Sequence, residues 1–136
     1  MSITYYQGDL VINREFGLSA YTPVTYYYVG LATGVDINGV ITGEPSGGSY
    51  ARVQITNNKT TFTTSSGVAS LSNAIKIGFP ECTAALGWGT MSYMFISDAA
   101  TSGNVLYFQP LTTNRTVQLN ATVYFDIGGL VASITN

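Results

Sequence analysis

Between Thr116 and Phe125 every second residue is apolar: Val117, Leu119, Ala121, Val123 and Phe125 alternate with Thr116, Gln118, Asn120, Thr122 and Tyr124. A period of two sends successive side chains to opposite faces of a sheet, so the pattern predicts a half-buried strand. The same alternation recurs where Tyr50, Arg52 and Gln54 interleave with Ala51, Val53 and Ile55, just after the turn-rich stretch Gly43-Glu44-Pro45-Ser46-Gly47-Gly48. That segment reads as a strand entered from a loop.

Two further runs, Tyr26–Leu31 and Met91–Ile96, are apolar at nearly every position, as suits central strands covered on both faces. The polar connection Asp98–Gly103 leads from the second of these to Asn104–Phe108 and has the make-up of a hairpin loop, with Pro110 expected to end the strand. Strands are also expected near Val68–Leu71, Ile75–Phe79 and Leu130–Ile134, a tight turn at Asn38-Gly39, and an exposed loop or hairpin tip over Thr56–Gly67. About eight short strands separated by Gly, Asn and Ser clusters favour an all-β fold: a single antiparallel β-sandwich or jelly-roll-like domain over residues 1–136. A helix competes only at Gln7–Phe16, where Leu10 and Phe16 share a face and Asp9 sits near a helix start.

The chemistry that the chain lacks is as informative. It has no histidine, which removes the commonest general base near neutral pH and the commonest zinc ligand, and with one cysteine it has almost nothing else to hold zinc. Asp36-Ile37-Asn38-Gly39 opens like a calcium loop, but the later ligand spacing fails and a polar hairpin turn explains it better. The remaining carboxylates, Asp9, Glu15, Glu44, Glu81, Asp98 and Asp126, are scattered, so a glycosidase pair is not expected. Gly47-Gly48 and Gly128-Gly129 lack the following Lys-Ser or Lys-Thr of a phosphate loop. A non-enzymatic protein without metal or cofactor is the expectation.

Charged residues make up 9% of the chain, against roughly 25% in ordinary soluble proteins, and the net charge is −2. Nucleic-acid binding is therefore not expected, nor is a membrane span, since no apolar run is long enough. Weak charge also lets copies pack densely beside one another. Cys82 has no partner for an internal disulfide and reads as a small buried hydrophobe, and residues 1–20 lack the pattern of a signal peptide, so synthesis in the cytoplasm is expected. The sequons at Asn58, Asn114 and Asn120 are of a kind that arises by chance in a Thr- and Asn-rich chain.

Among the aromatics, Tyr5 and Tyr6 lie near a terminus with little to bury them locally and are candidates for contact with a partner. Trp88, between Gly87 and Gly89, reads first as a core plug; exposed, it would be a glycan-stacking residue of a carbohydrate-binding module for host surface glycans.

Several blocks also resemble a family of small tailed-bacteriophage virion proteins. They are Tyr21-Thr22-Pro23, Tyr28-Val29-Gly30-Leu31, Glu44 through Val53, Gly87-Trp88-Gly89-Thr90, Phe95 through Ala100, Gly103 through Phe108 and Leu111-Thr112-Thr113. The resemblance implies a structural role in the virion after synthesis in the host cytoplasm, with other virion proteins, the major capsid protein or tail proteins, as partners, and homo-oligomers. With no heptads or repeats to form a stalk, capsid decoration on the head surface is the first expectation, and a tail-fibre, head-fibre or baseplate-associated component the alternative. Residues 1–20, with Tyr5 and Tyr6, and the loop carrying Glu44, Pro45 and Tyr50 are the expected subunit contacts.

Overall fold

A computed structural model describes residues 1–65 and 70–133. Among them the elements run β1 (Ser2–Ile3), α1 (Tyr5–Glu15), β2 (Tyr26–Ala32), β3 (Gly34–Val35), β4 (Ile41–Thr42), β5 (Val53–Thr56), β6 (Phe62–Ser65), β7 (Ser70–Asn73), β8 (Ile77–Gly78), β9 (Gly89–Ser97), β10 (Val105–Val117), β11 (Tyr124–Phe125) and β12 (Val131–Ser133). The all-β expectation holds. Strands outnumber the expected eight because five of the twelve are two-residue pairings too brief to leave a periodic signature.

Five strands form the main antiparallel sheet, in the order β1-β10-β9-β2-β5. The two runs without polar alternation, β2 and β9, lie side by side near its middle and are covered on both faces, as expected. On one face Val29, Leu31, Met94 and Ile96 join Phe62, Ile77, Phe79, Cys82, Trp88 and Leu130 in the larger core, closed by the sheet β12-β7-β6 and the ribbon β11-β8. On the other, Phe95, Ala32 and Val105 pack with Val35 and Ile41 of the β3–β4 hairpin. That hairpin turns at Asn38-Gly39, where Gly39 takes φ of 80° and Asp36 Oδ1 accepts the backbone N–H of Asn38 and of Val40, both at 2.9 Å.

The helical reading near the N-terminus holds, but α1 starts earlier than Gln7. Thr4 caps it, accepting from Gln7 N at 3.4 Å and itself anchored by donation to the Val105 carbonyl at 2.6 Å. At the other end Gly17, with φ of 67°, closes the helix: its N–H donates to the Arg14 carbonyl and that of Leu18 to the Asn13 carbonyl, the paired bonds of a Schellman stop.

Thr116–Phe125 is not one strand. β10 ends at Val117, the chain turns through Asn120 at φ of 65°, and Tyr124–Phe125 pairs instead with β8. Asn120 N donates to the Cys82 carbonyl and Cys82 N to the Ala121 carbonyl, so pairing with the segment at Cys82 displaces a continuous ladder, and Leu119, expected inside, is exposed. Nor does Pro110 end its strand. β10 continues past it because β1 covers only Tyr107 and Phe108, leaving an open side where a residue without an N–H costs no ladder bond. The register then slips, Pro110 facing Tyr93 but Arg115 facing Met91, so Leu111–Asn114 form a bulge in the ladder while Leu111 still packs against the larger core.

Other boundaries move by less. The strand expected from Tyr50 begins at Val53, and Ile75–Phe79 contributes only Ile77–Gly78. Within Thr56–Gly67, Phe62–Ser65 forms a strand paired with β7 and Phe62 is buried, while residues 66 and 67 lie outside the described residues. So do Val68 of the expected Val68–Leu71 strand, realised as β7, and Ile134 of Leu130–Ile134, realised as β12. The Asp98–Gly103 hairpin loop forms as expected, with Asp98 Oδ1 accepting Asn104 N at 2.7 Å.

Candidate subunit-contact surface

Helix α1 departs from the usual amphipathic pattern. Its buried side chain is Gln7, 2% exposed, whose Nε2 donates to the hydroxyls of Tyr21 at 3.0 Å and Tyr107 at 3.4 Å. Tyr5, Ile12 and the C-cap Phe16, at 61%, 56% and 77% exposure, face out instead, with Asp9 also exposed on the same side. Tyr6, Leu18 and, beside the helix start, Ile37 are exposed too; Tyr5 N donates to the Ile37 carbonyl. Leu10 and Val11 are half-buried, as in an ordinary amphipathic helix, so the departure lies in the buried Gln7 and the exposed Tyr5, Ile12 and Phe16.

The Glu44 loop is held from within. Arg52, with its side chain 4% exposed, pairs through Nε with Glu44 Oε1 at 2.7 Å and through Nη2 with Oε2 at 2.8 Å. Its Nη1 donates to Ser97 Oγ and to the Ala99 and Ser102 carbonyls, tying this loop to the β9–β10 hairpin. The hydrogen bonds that Arg52 donates to Glu44, more than the carboxylate's charge, raise the guanidinium's affinity for its proton. Tyr50 points inward: it stacks on Phe79, meets Trp88 edge-on, and its hydroxyl accepts Leu31 N at 2.9 Å. Desolvation lifts its pKa far above that of a free phenol, while the Leu31 bond works the other way. Of the three loop residues singled out by sequence, Glu44 and Pro45 keep part of their surface outside, whereas the Tyr50 ring is committed to packing.

Trp88 is 8% exposed and its Nε1 donates to the Gly48 carbonyl at 2.9 Å, so the indole plugs the core and offers no open stacking face. A cavity of about 550 Å³ opens between the main sheet and β12-β7-β6, lined chiefly by apolar groups including Ile3, Val11, Tyr27, Phe62, Leu71 and Tyr107. Burial raises the phenol pKa values of Tyr27 and Tyr107 at its edge. Among the described residues no three His, Cys, Asp or Glu side chains cluster as metal ligands would, and no helix is long and apolar enough to cross a membrane.

The model of a protein family described as "Podophage GP4 fiber I protein gp80" matches residues 2–133. The chain belongs to this gp80 family. It is thereby a structural protein of the tailed-phage virion, as the sequence blocks implied. No curated protein matches it.

Membership of the gp80 family favours the fibre alternative over capsid decoration, the first expectation from sequence. A missing stalk weighs less than the family match, because stalks belong to whole assemblies and a globular unit of a fibre would need none of its own. In this gp80-family chain the sequence singles out Tyr5 and Tyr6, both exposed, but not the exposed Ile12 or Phe16, the latter noted only as sharing a face with Leu10. The missed signal was Thr4-x-x-Gln7, a cap pattern that sets the helix start and hence its phase.

Proposed function

We propose that the chain is a non-enzymatic fibre component of a short-tailed phage particle. The family match over residues 2–133 carries this reading. Its supports are physical as well: the carboxylates of Asp36, Glu44 and Asp98 are engaged by backbone N–H groups or Arg52, which suits a rigid building block better than a reaction centre. The whole of 1–136 acts as one domain in this reading. Outward-facing Tyr5 and Tyr6, with Glu44 and Pro45 on the clamped loop, serve as contacts to other virion proteins.

Mass spectrometry of purified particles, with copy number, tests the proposal. A few tens of copies, labelled by antibody on projecting fibres, is the expected result. Hundreds of copies spread over the head would restore the decoration reading, and detection only in infected-cell lysate would remove the virion role altogether.

A further inference from the structure

Tyr5, Asp9, Ile12 and Phe16 are spaced four, three and four residues apart. On a helix that spacing draws a single line, the seam along which paired helices interlock side chains. The line faces outward and cannot roll inward, because Gln7 on the opposite side is held by two tyrosine hydroxyls and Thr4 ties the first turn to β10. We infer that this line is a self-association seam, α1 of one copy packing along α1 of a second copy of the same chain.

Exposed area and weak charge favour a second copy as the occupant, and the spacing is compatible with it. A four-three-four line is the spacing along which two identical helices interlock when packed side by side. At their observed exposures, and with about 150–250 Å² for an aromatic side chain, Tyr5, Tyr6, Ile12, Phe16 and Leu18 leave on the order of 500 Å² of surface. A standard interface takes about 800 Å² from each partner, so these five side chains supply most of one side. The low net charge opposes self-association only weakly. An eleven-residue helix is too short to pair in isolation, so the seam joins folded units and is no free-standing coiled coil. Asp9 is the one charge in the line, and a polar group at a seam position fixes register at a cost in affinity.

The inference deepens the reading of the N-terminal segment as a contact surface, yet its test needs no virion. Sedimentation equilibrium of the purified full chain, from micromolar to submillimolar concentration, should give a mass that is a multiple of the 14.5 kDa chain. Ile12→Asp and Phe16→Asp should each weaken association by about tenfold or more. Asp9→Leu should strengthen it. Leu86→Asp, at a site 98% exposed and away from α1, should leave it unchanged. All four positions are exposed, and unchanged circular dichroism and thermal midpoint confirm the fold; Phe16, outside the helix proper, still tests the seam if the Ile12 variant does not fold. A chain that stays monomeric throughout, or an oligomer that neither Ile12→Asp nor Phe16→Asp weakens, overturns the inference. Absence from virions would leave the solution mass unaltered, so the two readings fail separately.

Discussion

The ring of Phe95 lies across the Cα of Gly30, its register partner on the neighbouring strand, where any Cβ would collide with the far edge of the ring. The same ring carries the Arg52 guanidinium 4.9 Å from its centroid. Phe95 therefore has little room to retreat, and Gly30 is the residue that lets β2 and β9 pair at this point.

Gly30→Ala should destabilise the protein by about 1–3 kcal/mol, the usual range for overpacking a filled core. Phe95→Leu alone should also cost stability, but the two together should cost less than their sum, because the shorter side chain vacates the space that the new methyl needs. Urea midpoints of the four proteins in the cycle give the coupling. Strict additivity would show that the ring shifts freely and that the contact is not the constraint.

Arg52 binds three parts of the chain at once, and removing it leaves Glu44 with the Tyr50 hydroxyl in place of an ion-pair partner and the Ser102 carbonyl without its donor, while the Ala99 carbonyl keeps Ser97 Oγ. Breaking a buried pair costs about 3–5 kcal/mol, and Glu44 is 22% exposed, so Arg52→Met should fall at the lower end. Arg52→Lys should recover little, since an ammonium cannot span both carboxylate oxygens and the hairpin carbonyls together. Amide hydrogen exchange at Asn104, whose N–H bonds Asp98 in the same hairpin, should quicken in both variants before global unfolding.

Those two relationships also mark where the sequence was legible. Burial on both faces of β2 and β9 shows as unbroken apolar runs, so the centre of the sheet was readable from residue type alone. Thr116–Phe125 misled because alternation records which side chains reach a core and not which partner the backbone bonds. Val117, Ala121, Val123 and Phe125 do contact the larger core, but a turn at Asn120 lies between them. On α1 the opposite failure occurred. The residues of α1 do not reveal which of them faces inward, because Gln7 sits where two tyrosine hydroxyls accept from its amide nitrogen, a long-range fact no local window contains.

Tyr27, Tyr50 and Tyr107 all hold their phenolic protons more tightly than a free tyrosine, with desolvation the first cause in each. Their folded pKa values lie above the unfolded value of about 10, so the fold binds more protons than the unfolded chain above that pH. Their contribution to stability is complete below about pH 10 and is lost as pH rises toward the folded values. Ultraviolet titration should therefore show a subset of the tyrosines ionising late, together with cooperative unfolding. Tyr50→Phe should move that alkaline transition to higher pH relative to its own neutral-pH stability. If all ten tyrosines titrate together near pH 10 in the folded protein, the buried environment of the three is wrong.

Asn73, fully buried at the end of β7, uses both ends of its amide. Nδ2 donates to the Ile75 and Asp126 carbonyls, each at 2.8 Å, and Oδ1 accepts Leu130 N at 2.9 Å. Asn73→Leu fills similar volume but strands one donor and two acceptors away from water, and should cost about 3 kcal/mol or more. Asn73→Asp separates the two functions of the amide. The carboxylate still accepts Leu130 N, but it faces two carbonyls with no proton to give, so its pKa should lie above the unfolded aspartate value of about 3.9. A raised pKa makes the protonated form the one that fits, so the variant should be closest to wild type below about pH 4 and lose stability as pH rises beyond it. Urea melts of the wild type and Asn73→Asp at acid and neutral pH measure this. A stability difference that does not change with pH would show that the carbonyls at Ile75 and Asp126 find other donors.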